Sequence, residues 1–278
     1  MTAAQINTPR KIYAFHANTE KEFNDTEFNS PKHNELLAGL PQNDYVQLLA
    51  NLELYYVQAE ENLHEAGMPF EWIYFPTTAV ICIGYITESG SMPSVGLVGK
   101  DGLVGLPCIM GSDHATCYAT VQTSGLTYRI KAHHLKKELY KKDALLQMVL
   151  LYSQIFFTQI SQTAVCNRLH TVDQQLCRYL LMNADLLEQD DLYLTHECIA
   201  NMLGVRREGI THSAGKLQQQ KFISYSRGKI KIINKKGLMN EVCECYDVVK
   251  KEKARLIPNI SPFGLSCSLK TTRKAKFI

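Results

Sequence analysis

Nine cysteines are present, an odd number at scattered positions, and no two stand at Cys-x-x-Cys spacing. That excludes a disulfide framework, and in a reducing compartment most of these thiols are expected to pack in cores. The closest pair is Cys243-Glu244-Cys245. On one helix, residues i and i+2 point apart, so no metal site is predicted there. A His-x-His followed by Glu is also missing, and the adjacent His133 and His134 project in different directions. Without such a cluster a β-roll enzyme is not expected. No stretch reads as long and apolar enough for a transmembrane helix, and Met1-Thr2-Ala3-Ala4-Gln5 opens without a signal-peptide core. A cytoplasmic protein with no membrane partner is expected.

Acidic residues are scarce in one region in particular. Between Cys198 and Asn240 stand nine Lys or Arg and a single acid, Glu208. Thr195 can N-cap a first helix, Gly204 permits a tight turn, and a second helix is predicted from about Arg206 to Lys221. Wound at 100° per residue, that helix turns Ile210, Ser213, Ala214 and Leu217 inward, and Arg207, Glu208, Thr211, His212 and Gly215 outward. Arg can fork onto guanine O6 and N7, Glu can accept from cytosine N4, and Thr and His can take a base edge or a phosphate. The helix N-terminus itself favours anions. Two short strands follow, Phe222 to Tyr225 and Lys229 to Ile233, joined around Arg227-Gly228. They read as a wing that brings Arg227, Lys229 and Lys231 to the backbone of a duplex. The alternative for the same text is an ordinary amphipathic helix with a solvated basic face.

The 278 residues, 45% hydrophobic and 21% charged, suffice for two cores. Residues 1–169 hold 12 basic and 16 acidic groups, and residues 170–278 hold 18 and 11, which gives about −4 and +7. Such a split suits nucleic acid bound at one end. Residues 1–30 lack apolar periodicity and read as a flexible arm. Helical text at Asn34 to Leu40 and Asp44 to Leu52 is broken by Pro41. Short apolar runs follow, at Glu71 to Phe75, Ala79 to Ile86, Ser94 to Val98, Ala115 to Val121 and Leu126 to Ile130. A long helical run from Lys136 to Arg168 is apolar on more than one face, which predicts burial against its own domain and against a second copy. A hinge is expected near Asn167 to Thr171, a last helix over Leu238 to Val249, and a basic disordered tail beyond it.

Leu203-Gly204-Val205-Arg206-Arg207-Glu208, together with Tyr225-Ser226-Arg227-Gly228-Lys229-Ile230, resembles the cyclic AMP receptor protein and fumarate-nitrate regulator (Crp/Fnr) superfamily of bacterial transcription factors. The resemblance implies an α+β architecture: an N-terminal β-roll of the cyclic-nucleotide-binding-like jelly-roll type, a long dimerisation helix and a C-terminal winged helix-turn-helix. On this chain the divisions fall at 1–30 for the arm, 31–135 for the sensor domain, 136–169 for the dimerisation helix, 170–250 for the DNA-binding domain and 251–278 for the tail. The family's base-contacting Arg-Glu pair carries over to Arg207 and Glu208. Its third base-contacting Arg falls on His212 here, which leaves the operator sequence open, and its usual Ser cap falls on Arg206, read as a phosphate contact. Double-stranded DNA, a second copy of the chain and RNA polymerase are the partners implied.

A cyclic nucleotide needs a cation for its phosphate and usually a carboxylate for its ribose. Where the family cassette has Gly-Glu, this chain has Gly105-Leu106, and the cassette Arg falls near Ala115-Thr116, inside a stretch from Lys100 to Arg129 that contains no other Lys or Arg. Burying a phosphate without a counter-charge is strongly unfavourable, so cyclic AMP is not the expected effector and no cofactor is predicted. The oxygen-sensing branch uses N-terminal cysteines for an iron-sulfur cluster, and no Cys precedes Cys82. Haem on His114, His133, His134 or His170 and a redox switch of Cys82, Cys108 and Cys117 stand as alternatives to a sensor domain that only dimerises.

The resulting expectation is a homodimeric regulator without catalytic activity. Arg207, Glu208, Thr211 and His212 read bases, and Arg206, Lys216, Arg227 and Lys229 hold phosphates. The rival from another class is a ligand-binding or protein-interaction module whose helix-turn-helix is a docking surface, distinguishable by the absence of a counterion-release slope.

Overall fold

Short runs of β-branched and aromatic residues between turns build the N-terminal half, and long helices build the rest. The computed structural model describes residues 30–88, 92–141 and 143–257. The predicted arm lies almost wholly outside them, as does most of the predicted tail.

Asn34 caps α1 (Glu35–Ala38) by accepting from the Leu36 and Leu37 amides, and Pro41 sits at the start of α2 (Gln42–Leu49). The strands β1 (Glu53–Val57), β2 (Asn62–His64), β3 (Trp72–Pro76), β4 (Val80–Gly84) and β5 (Ser94–Val98) come next. A single turn of helix, α3 (Leu106–Ile109), precedes β6 (Tyr118–Thr123) and β7 (Gly125–Lys131). All pairings are antiparallel, in two sheets ordered β1-β7-β3 and β2-β6-β4-β5. The first sheet packs Ile73, Phe75, Tyr128 and Ile130 against α1 and α2, and the second contributes Ile81, Val98 and Val121 to a neighbouring core. On the outer face Arg129 stacks over the rings of Tyr55 and Trp72 at 4.1 and 4.0 Å. This is the expected β-roll.

The predicted single helix from Lys136 is two. The first, α4 (Ala132–Leu139), closes on Tyr140, and the second, α5 (Asp143–Leu169), starts afresh with an acid at its positive end. Leu145, Met148, Val149, Tyr152 and Ile155 bury one face of α5, while Leu146, Leu150 and Phe157 stand 43, 60 and 66% exposed on the other. In length and mean hydropathy (1.3) α5 does reach the measure of a membrane-crossing helix, contrary to the sequence expectation. A third of that apolar stretch is buried within the chain, and the exposed Leu146, Leu150 and Phe157 add to its hydropathy.

The junction of α5 with the roll is polar and specific. Gln159 accepts from the Leu97 amide at 2.6 Å and donates to the Leu97 carbonyl at 3.2 Å, pairing the edge of β5 as another strand would. A Cβ on Gly96 would stand 2.7 Å from Phe156 of α5, so glycine permits this approach.

After α5, Thr171 and Gln174 form a capping box that starts α6 (Val172–Leu187). Then come β8 (Asp191–Tyr193), α7 (His196–Leu203), α8 (Arg207–Gln219), β9 (Ile223–Ser226), β10 (Lys229–Ile232), α9 (Lys235–Glu241) and α10 (Glu244–Leu256). The three strands form one sheet ordered β8-β10-β9. Leu176, Leu180, Ile199, Ile210, Leu217 and Ile230 share a core with Val80, Cys82 and Leu97 of the roll. The two domains are thus docked on each other, and a polar relay of Cys82, Gln122, Tyr179 and Asn183 crosses the contact.

Two expectations at the C-terminal end need correction. The predicted helix over Leu238 to Val249 is broken at Val242, whose extended backbone (ψ 148°) separates α9 from α10. The predicted tail begins too early. Residues 251–256 continue α10, where Lys253 pairs with Glu35 (3.1 Å) and Asp101 (3.0 Å) and Leu256 is buried.

Candidate nucleic-acid interface

Local rules place the interface. Thr195 caps α7 by accepting from the Cys198 amide at 3.0 Å, and Gly204 ends it in the left-handed region (φ +66°) that favours glycine. Two residues later the backbone is extended at Arg206, the N-cap of α8. Ile210, Ser213, Ala214 and Leu217 are buried, and Arg207, Glu208, Thr211, His212 and Gly215 are exposed, so both predicted faces are as expected.

The N-cap and first turn of α8 present Arg206, Arg207 and Glu208 to solvent at the positive end of the helix, where the Gly209 amide already bonds the Arg206 carbonyl at 3.0 Å. Arg207 is the most committed of the three: its Nε lies 3.8 Å from a Glu197 oxygen, with both side chains mainly exposed. Such a pair is weak in water and readily exchanged. Thr211 donates to the Arg207 carbonyl at 3.1 Å and meets His196 Nδ1 at 3.2 Å. His196 in turn stacks on Tyr225 of the wing.

The wing is a hairpin whose tip, Arg227-Gly228, carries positive φ at both residues (47° and 80°), as a tight primed turn requires. Arg227 is exposed at that tip, and Lys231 is exposed one strand position beyond Ile230. Two of the predicted phosphate-holding cations have protein partners. Lys229 pairs with Asp191 at 3.2 Å, and Lys216 pairs with Asp173 at 2.8 Å. Burial raises the Asp173 carboxyl, but hydrogen bonds from Lys216 and Ser213 outweigh it and hold the group below its ordinary range.

The structure therefore brings Arg206, Arg207, Glu208, Thr211 and His212 together on one helical face, with Arg227 on the adjacent wing. His196, Glu197 and Tyr225 complete the surface; the sequence places Tyr225 in the wing without a role and gives none to His196 or Glu197. For His196 and Glu197 the local signal is that they directly follow the Thr195 cap.

Ligand-related residues are placed differently. At the cassette position Leu106 and Ala115 are buried and apolar. A cleft of about 760 Å³ lies elsewhere, between the domains, beside Lys100, Asp185 and Lys253. The histidines considered for haem do not line it: His114 is exposed before β6, His133 and His134 adjoin on α4, and His170 follows α5. Burial pushes the thiols of Cys82, Cys108 and Cys117 up, which works against the thiolate that a redox switch needs. Cys243 and Cys245 do not point apart as predicted, because Cys243 is the extended N-cap of α10 (ψ 164°) and not a helical residue. Their thiols meet Cys166 and His170.

Comparison with known proteins agrees with this geometry. Residues 174–241 match the Crp-like helix-turn-helix domain. The global nitrogen regulator of Synechococcus elongatus is 23% identical over 190 residues, which cover 63% of this chain and 83% of that protein. Among solved structures, FixK2 of Bradyrhizobium japonicum superposes with a TM-score of 0.61 at 13% identity, over 69% of this chain and 98% of that one. A Crp/Fnr-family transcriptional regulator of Thermus thermophilus gives 0.58 at 18% identity, over 68% and 97%. The structural likenesses fix the fold: a β-roll, a long helix and a C-terminal winged helix-turn-helix.

Proposed function

We propose that this chain is a DNA-binding transcription regulator of the Crp/Fnr type, without catalytic activity, that reads a palindromic operator as a homodimer. The carrying observation is the exposed first half of α8, where Arg207, Glu208, Thr211 and His212 share the solvent side while the opposite side is locked in the domain core. Set in a major groove, these four reach base edges. Arg206 and Arg227 flank them for phosphate contact, and Lys216 and Lys229 exchange a surface carboxylate for a phosphate on binding.

The exposed stripe on α5 supports the dimer. Leu146, Leu150 and Phe157 are four and seven residues apart, the repeat by which one helix packs against its own copy. Two recognition helices related by a two-fold axis then match half-sites about one turn of DNA apart. Cytoplasmic action and contact with RNA polymerase belong to the same reading. The buried apolar side chains at Leu106 and Ala115 support a regulator that does not take cyclic AMP.

Titration of labelled duplex at increasing salt tests the reading. Four backbone cations from each of two protomers give a slope of log affinity against log salt on the order of −7. A flat dependence would favour a protein-docking surface.

A further inference from the structure

Cys166 and His170 lie one helical turn apart at the end of α5, where the His170 amide bonds the Cys166 carbonyl at 3.1 Å. Cys243 caps α10 and Cys245 lies in its first turn, so the chain bends both thiols toward α5. The four ligand atoms all lie within 4.8 Å of one another. Cys166 Sγ is 3.6 Å from Cys243 Sγ, and Cys245 Sγ is 3.6 Å from His170 Nδ1. A tetrahedral zinc ion with bonds of about 2.3 Å to sulfur and about 2.0 Å to nitrogen sets its ligands about 3.8 Å (S to S) and about 3.5 Å (S to N) apart.

We infer that Cys166, His170, Cys243 and Cys245 bind one zinc ion, in a closed Cys3His site that fastens the end of the long helix to the DNA-binding domain. The surroundings are those of a built site. His170 Nε2 faces a Glu244 oxygen at 3.4 Å, the outer carboxylate that fixes the ring with Nδ1 toward a metal. Gln175 donates to the carbonyls of both Cys166 (3.4 Å) and His170 (3.0 Å). Arg178, 5% exposed, donates to Thr163 at 2.8 Å, reaches the Cys166 thiol and, among the described residues, pairs with no carboxylate. Three thiolates around Zn²⁺ leave one negative charge, and this guanidinium offsets it. The three cysteines are 0, 4 and 0% exposed, which leaves no open position for substrate and makes the site structural. Soft sulfur donors select against magnesium and calcium. An iron-sulfur cluster spreads its thiolates around several iron atoms and would need them further apart.

The test needs no DNA, so it can fail or succeed independently of the regulatory reading. Full-length protein purified in reducing buffer is analysed for metal, and metal-free protein is titrated with cobalt(II). About one zinc per chain is expected. Cobalt should saturate at one equivalent with tetrahedral absorption and a sulfur-to-cobalt charge-transfer band. The double variant C243S/C245S should lose the metal, and E244Q should bind it about 10 to 100-fold more weakly, as outer partners do. Should the double variant fail to fold, the cobalt spectrum of the unaltered protein decides. Absence of that band, full metal content in the double variant, or a Cys166–Cys243 disulfide in place of metal would overturn the inference.

Discussion

His196 and Tyr225 stack with ring centroids 4.0 Å apart and an interplanar angle of 19°. The contact joins the first residue of α7 to the wing, and His196 also meets Thr211 of α8. One imidazole thus ties together α7, α8 and the wing. A double-mutant cycle with His196→Ala and Tyr225→Ala should give a coupling of about 0.5 to 1.5 kcal/mol in duplex affinity. Additive losses would show that the wing is positioned by other contacts.

Protonation acts against the native state at two histidines. Burial lowers the pKa of His196, with the Arg207 charge adding to it. Burial also lowers that of His64, only partly offset by its 2.9 Å bond to the Trp72 carbonyl. The unfolded chain therefore takes up these protons first. The stability they contribute is complete above the unfolded value of about 6.5 and is lost as pH falls through the folded values. Urea midpoints should drop between pH 7.5 and 5.5, and the drop should shrink in His64→Gln. An unchanged pH dependence would remove His64 from this account.

Gln159 substitutes for a neighbouring strand along β5. In Gln159→Leu the amide and carbonyl of Leu97 lose their partners in a buried place, a loss of about 1 to 3 kcal/mol. Chemical denaturation measures it. A neutral result would mean that water replaces the amide.

Phe157, 66% exposed near the middle of α5, is the centre of the proposed seam. Phe157→Glu should convert the dimer to monomer in sedimentation and abolish tight operator binding while leaving the circular dichroism unchanged. A dimer that survives the change would place the interface elsewhere.

What could be read from the sequence follows a physical pattern. The Thr195 cap, the Gly204 turn and the two faces of α8 obey rules spanning a few residues, and each appears in the structure as read. Strands with apolar text, such as Ser94 to Val98, were equally legible. By contrast β1 is mostly exposed, with no clean alternation, and β2 and β8 are three residues each, so periodicity had nothing to report. Breaks within helical text were missed at Tyr140 and Val242, where neither proline nor glycine marks the stop. The meeting of Cys166 with Cys243 joins residues 77 apart and depends on the second of these breaks. No local spacing carries that information.

Selection from a randomised duplex pool tests the central claim most directly, with the unaltered protein beside Arg207→Ala. The account predicts enrichment of two inverted half-sites about one helical turn apart, and a loss of about 1 to 3 kcal/mol on that operator for the variant with little change on random DNA. No enriched sequence, or equal losses on operator and random DNA, would contradict it.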